Sequence, residues 1–114
     1  MATIKSCTDI PQSKVIEKIL SRDTADMYYA LSEDESISLI VCGKPKGFFD
    51  NIQVAWSLTA LLGVLPEEVS LNSFIDGSWN AMVQRNSKMI YCDAHNPVDA
   101  CYKLILKLHE LKML

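Results

Sequence analysis

Apolar residues recur along this chain in two rhythms, and the alternation between them sets the expected order of elements. Val15, Ile16, Ile19 and Leu20 return at helical spacing with Lys14, Glu17 and Lys18 opposite, which predicts an amphipathic helix ending near Ser21. Asp9-Ile10-Pro11 opens it, because proline at the first helical position gives up an N–H that has no intrahelical partner. Polar Arg22 to Ala25 follows. Met27–Leu31 and Ile37–Cys42 then have strand composition, and the acidic link from Ser32 to Ser36 predicts a hairpin between them. Gly43-Lys44-Pro45-Lys46-Gly47 is a breaker loop.

Beyond that loop the rhythm is lost. Ile52, Val54, Ala55, Trp56, Leu58, Ala60, Leu61 and Leu62 leave almost no polar face. With Asp50 as N-cap and Gly63 and Pro66 as stops, the run reads as a second helix, Asn51 to Leu62. A helix apolar nearly all round is buried on several sides or lies at an interface.

Period-two alternation returns in three segments: Val69 to Ile75, Ser78 to Gln84 and Lys88 to Ala94. Asp76-Gly77 is a strong hairpin signal between the first two, and Arg85-Asn86-Ser87 joins the second to the third. The last helix has the clearest start. Asn96 caps, Pro97 takes the first helical position, and Asp99 sits where negative charge meets the positive helix end. Val98, Cys101, Tyr102, Ile105, Leu108 and Leu111 form its apolar face.

The expected fold is therefore α+β in the order α-ββ-α-βββ-α. Helices pack on an antiparallel sheet of about five strands, built from a hairpin and a three-strand meander. At 114 residues, one domain over 1–114 is expected.

Composition adds one tension. The chain is 49% hydrophobic, high for so small a molecule, so either the core is well filled or apolar surface awaits a partner. If either the tryptophan helix or the leucine-rich terminal helix keeps an exposed apolar side, a homodimer through that helix is the first such interface to test. Net charge is −3, with two arginines, Arg22 and Arg85, and nine scattered lysines, which argues against nucleic acid as a partner. The longest uncharged run, Asn51 to Pro66, is polar in places and shorter than the roughly 20 residues of a spanning helix, so no membrane span is expected. Four cysteines without a preceding signal peptide read as reduced thiols.

Candidate chemistry is sparse. Cys92-Asp93-Ala94-His95 is the one tight grouping of thiol, carboxylate and imidazole, yet it supplies half a zinc site at most. A Cys92–His95 nucleophile pair competes with a simpler reading, a core cysteine followed by a loop histidine. Asp50, Asp76, Asp93 and Asp99 all stand at turns or helix starts, where aspartate caps are expected. No hydrolase, dinucleotide or phosphate-loop pattern is present, so neither catalytic residues, cofactor nor metal are expected. For interactions, Trp56 is expected in the core. Trp79, Tyr28 and Tyr29 are the candidate anchors, and Lys44, Lys46 or Arg85 the candidate contacts for a phosphate.

Ala25-Asp26-Met27-Tyr28, the stretch from Ala55-Trp56 to Leu65-Pro66, Asn96-Pro97-Val98-Asp99-Ala100-Cys101-Tyr102 and Leu108-His109-Glu110-Leu111 resemble small uncharacterised proteins of phages, prophages and mobile elements of anaerobic gut bacteria. The half from about Asn51 to Leu114 also resembles phage "ABA sandwich" proteins, with their tryptophan-bearing helix, short meander and proline-capped terminal helix. The resemblance implies a phage-type accessory protein in the cytoplasm of a bacterial host. The expected function is non-enzymatic binding of a host or phage protein. The alternative is a small-ligand or nucleotide-binding module that acts as a sponge.

Overall fold

The computed structural model describes residues 5–36, 38–44 and 51–114. The fold is α+β, with three helices and six antiparallel strands in the order α-βββ-α-βββ-α. Helix α1 spans Ile10–Ile16, and strands β1 and β2 are Met27–Leu31 and Ser38–Cys42. Strand β3 is Ile52–Ala55, helix α2 Leu58–Val64, and β4 Ser70–Ser73. Strands β5 and β6 are Trp79–Arg85 and Lys88–Ala94, and helix α3 is Pro97–Glu110.

Two expectations are corrected. The strands form two sheets of three, ordered β2-β1-β3 and β4-β5-β6, rather than one sheet of about five. The supposed helix from Asn51 to Leu62 is two elements. Its first part is β3, which pairs with β1 through Met27–Ala55, Tyr28–Val54, Tyr29–Gln53 and Ala30–Ile52. Ile52 and Val54 are β-branched and suit a strand, and Val54 and Ala55 are buried. The helix starts after Ser57, whose hydroxyl accepts from the Ala60 N–H at 3.2 Å. It ends where Pro66 forces Leu65 into extended backbone, at φ −76° and ψ 154°. Asp50, the expected N-cap, lies outside the described residues, as does Ile37, the expected start of β2.

The remaining starts follow the sequence closely. Asp9 and Gln12 form a capping box on α1, with the Gln12 N–H donating to Asp9 Oδ1 at 2.8 Å and the Asp9 N–H to Gln12 Oε1 at 3.1 Å. Asn96 Oδ1 accepts from the Asp99 N–H at 2.8 Å at the head of α3. Gly77 takes the left-handed conformation, φ 88°, that closes the β4–β5 hairpin.

Helix α3 is the centre of the core. Val98, Ala100, Cys101, Leu104, Ile105 and Leu108 are fully buried, and the helix packs on β5 and β6 as well as on α2 and α1. Each large apolar side chain buried here contributes about 1.5–3 kcal/mol. Ala81 and Val83 meet the helix from β5, while Trp56 and Leu61 join the same core from the β3–α2 stretch. Among the described residues no helix is long and apolar enough to cross a membrane.

Trp56 is the pivot between the halves. Its backbone pairs with Thr8, donating to Thr8 Oγ1 at 3.1 Å and accepting from the Thr8 N–H at 2.9 Å. Its indole N–H donates to Thr24 Oγ1 at 2.9 Å, so a fully buried ring keeps its polar atom satisfied.

Candidate functional site: a cationic groove beside an open sheet face

The residues marked in the sequence as interaction candidates do not form one surface. Tyr28 is buried, and Tyr29, the next residue of β1, points to the opposite sheet face. The Tyr29 hydroxyl donates to the Thr8 carbonyl at 2.9 Å and lies 3.6 Å from Cys7 Sγ. Burial and the Cys7 contact push its pKa up, so it stays a neutral donor. Trp79 is half-buried at the start of β5, in the other sheet, and packs against the core. Lys44 is exposed and donates to the Asp23 carbonyl at 3.2 Å. Lys46 lies outside the described residues.

Cys92 and His95 part company as well. Cys92 is half-buried against the α3 side of its sheet, and His95 is exposed. Burial raises the Cys92 thiol pKa, against the opposing pull of Lys103 and Lys107. An activated thiol needs the reverse shift. Burial also pushes Cys101 up, to about 11. Cys42 is exposed and Cys7 buried, and all four thiols are free. Among the described residues no three His, Cys, Asp or Glu side chains gather as metal ligands.

A polar cluster does form where the N-terminal segment crosses α3. Lys5 Nζ donates to Asp99 at 2.8 Å, to Gln12 at 2.9 Å and to Asp9 at 3.2 Å. Gln12 and Asn96 each donate a side-chain N–H to Asp99, at 2.8 and 2.9 Å. Burial works to raise the Asp99 carboxyl, but these donors outweigh it and hold its pKa below the usual value. Every partner is occupied within the cluster, which makes it a clamp between α1 and α3.

A concave feature of the described surface lies elsewhere, between the β5–β6 turn and the end of α3. This groove of about 840 Å³ is lined by Arg85, Asn86, Lys88, Met89, Ile90, Leu111, Lys112 and Met113. Its two walls rest on unusual backbone. Arg85 pairs with Lys88 across a two-residue turn in which Asn86 and Ser87 have φ of 52° and 65°. Such a turn needs positive φ at both positions and favours glycine at the second. On the other wall, α3 closes with a Schellman motif. The Met113 N–H donates to the Leu108 carbonyl at 2.8 Å and the Lys112 N–H to His109 at 3.0 Å. Lys112 therefore stands at the left-handed position, φ 59°, that glycine usually fills.

The chemistry of the groove is cationic over apolar. Arg85, Lys88 and Lys112 bring three positive charges to its rim, with Glu68 paired to Arg85 at 3.2 Å. Met89, Ile90, Leu111 and Met113 make the floor. Met89 also belongs to the outward face of the second sheet, since the register places it on the same side as Tyr91 and Met82. Met89 and Tyr91 are 57% and 58% exposed, on the side away from α3. Phe74 and Ile75 add an exposed apolar hairpin tip, Ile75 being fully exposed. The sequence hides this grouping. Arg85 and Lys88 are separated by a turn, and Lys112 comes from the opposite end of the second half.

Compared with protein-family models, with curated proteins and with solved structures, the chain finds no match.

Proposed function

We propose that this chain is a non-enzymatic protein-binding module, an accessory protein of the phage type that acts on a host or phage protein. Its docking surface is the groove together with the adjoining Met89, Tyr91 and Met82. The observation that carries the reading is the cationic rim over an exposed apolar bed in a chain of net charge −3. An interface centre combines an aromatic or methionine anchor with arginine, and Tyr91, Met89 and Arg85 supply that set. The left-handed Lys112 supports it too: a cation stands where glycine would be less strained. The fitting partner segment presents acidic side chains next to an apolar one.

The test is capture from a bacterial lysate with wild-type chain and with Tyr91→Ala, Lys88→Glu and Lys112→Gly as baits. A protein held by wild type and lost by at least about tenfold with each variant, or about 1.4 kcal/mol, supports the proposal. Equal capture by all baits, or none above background by wild type, overturns it.

The three cations also favour a second reading, a module that sequesters a small anionic ligand such as a nucleotide. Ligand binding to the folded state must raise its melting temperature. A thermal-shift series with nucleotides should then show stabilisation in wild type and none in Lys88→Glu. No shift in wild type sinks this alternative.

A further inference from the structure

Strand β2 is an edge strand that leaves a large apolar side chain exposed on each of its faces. In the order β2-β1-β3 it pairs, among the described residues, only with β1. Leu39 and Ile40 point to opposite faces, yet they are 62% and 41% exposed, and Ser38 and Cys42 are exposed too. Proteins usually protect such an edge with a charge, a proline or a bulge. Ser38-Leu39-Ile40-Val41-Cys42 has no charge and no proline. The edge strand β6 carries Lys88 and Asp93, and the other edges, β3 and β4, lack charge and proline but are only four residues long.

The hydrogen-bond pattern shows which backbone groups wait on that edge. The Leu31 N–H donates to Asn51 on the β3 side, and the Gly43 N–H donates to the Asp26 carbonyl. In an antiparallel sheet the direction alternates with each residue. Leu39 and Val41 therefore turn their backbone groups toward β1, and Ser38, Ile40 and Cys42 turn theirs outward.

We propose that β2 pairs antiparallel with β2 of a second copy of this chain, about a two-fold axis at Ile40, to give one continuous six-stranded sheet. In this register Ile40 faces Ile40 of the other copy, and Ser38 faces Cys42. All three outward residues then exchange their N–H and C=O bonds. Charge selects the second copy as occupant. Glu33, Asp34 and Glu35 stand at one end of β2 and Lys44 at the other, so the two-fold lays Lys44 of each copy beside the acidic turn of its mate. Asp34 accepts from Ser32 Oγ, Ser36 Oγ and the Ser36 N–H, which keeps it ionised and fixes the turn. Among the described residues, the charged neighbour that an observed contact places beside Lys44 is Asp23, whose carbonyl accepts from Lys44 Nζ at 3.2 Å. This association does not depend on the groove.

The test is the mass in solution of the full chain, by sedimentation velocity over a wide dilution series. Wild type should pass from dimer to monomer on dilution. Ile40→Lys, which sets two like charges opposite each other at an exposed position, should be monomeric throughout, with circular dichroism unchanged. Lys44→Glu should weaken the dimer at least about tenfold, and so should the double variant Glu33→Lys/Glu35→Lys, which leaves Asp34 to hold the turn. An equimolar mixture of those last two variants should regain a dimer, because each then opposes its complement. A wild type that is monomeric throughout, as it would be if β2 received a strand from an unlike protein, overturns the proposal. So does a dimer insensitive to Ile40→Lys. Failure of the mixture to recover overturns the register.

Discussion

Asp99 reports in miniature how this fold is tied together. It stands in the first turn of α3, capped by Asn96, yet its carboxylate also receives Lys5 and Gln12 from the first part of the chain. With its folded pKa held below the ordinary 3.8, it contributes stability above that pH and loses it as pH falls through the folded value. Lys5 has the opposite sign. Burial works to lower its pKa, but Asp99 and Asp9 raise it above 10.5, so its contribution is present below that pH and lost as pH rises further. Urea midpoints against pH should therefore fall below about pH 4 in wild type. Asp99→Asn should be less stable at neutral pH and flatter through the acid range. An unchanged acid slope would remove Asp99 from the account. A second residue carries local strain instead. Ser87 pays for a left-handed φ of 65° in a two-residue turn. Ser87→Gly should raise stability by about 1 kcal/mol, near 4 °C in melting temperature. At this scale the Asn96 cap is legible because a cap is local and Asn96 meets Asp99 within one turn, while the Asp9–Gln12 capping box comes from the structure. The Lys5–Asp99 contact was not, since nothing along the chain relates positions so far apart.

The elements turn on the passage from β3 into α2. Ser57 caps α2, and Asp26 holds it in place by accepting from both its hydroxyl and, at 2.9 Å, its N–H. Ser57→Ala removes the cap and one partner of a half-buried carboxylate. It should cost about 1–2 kcal/mol in chemical denaturation. A loss within a few tenths of zero would mean that α2 is held by packing alone. The same junction explains the misread helix. A continuous apolar run does not distinguish a short buried strand from a buried helix, because period is informative only where polar positions interrupt it. The available signals were Ile52 and Val54 at period two and Ser57 three residues before Ala60. Strands β5 and β6 and the start of α3 lie within a residue or two of the bounds their patterns predict, whereas α1, expected to run to about Ser21, ends at Ile16.

The whole molecule exposes 7309 Å², about 1,000 Å² more than the roughly 6,300 Å² usual for a folded chain of this mass. Two narrow sheets, of which the second packs on α3 and the first meets α1 through β3, cover themselves less well than a single five-stranded sheet would. The apolar excess of the composition is accordingly divided. Part fills the core around α3 and Trp56, and part stays outside at β2, the Phe74–Ile75 tip and the Met89–Tyr91 face. If β2 joins two copies, the melting temperature should rise with protein concentration in wild type and not in Ile40→Lys. Such a dimer would also present two grooves and bind a multivalent partner more tightly than either groove alone. The α+β class, the hairpins and the caps of α1 and α3 follow from neighbours in the chain, through short-range sterics and hydrogen bonds. The split into two sheets, the central place of α3, the cationic groove and the bare edge of β2 do not. They depend on which apolar faces meet, and that is settled by the packing of segments far apart in the chain.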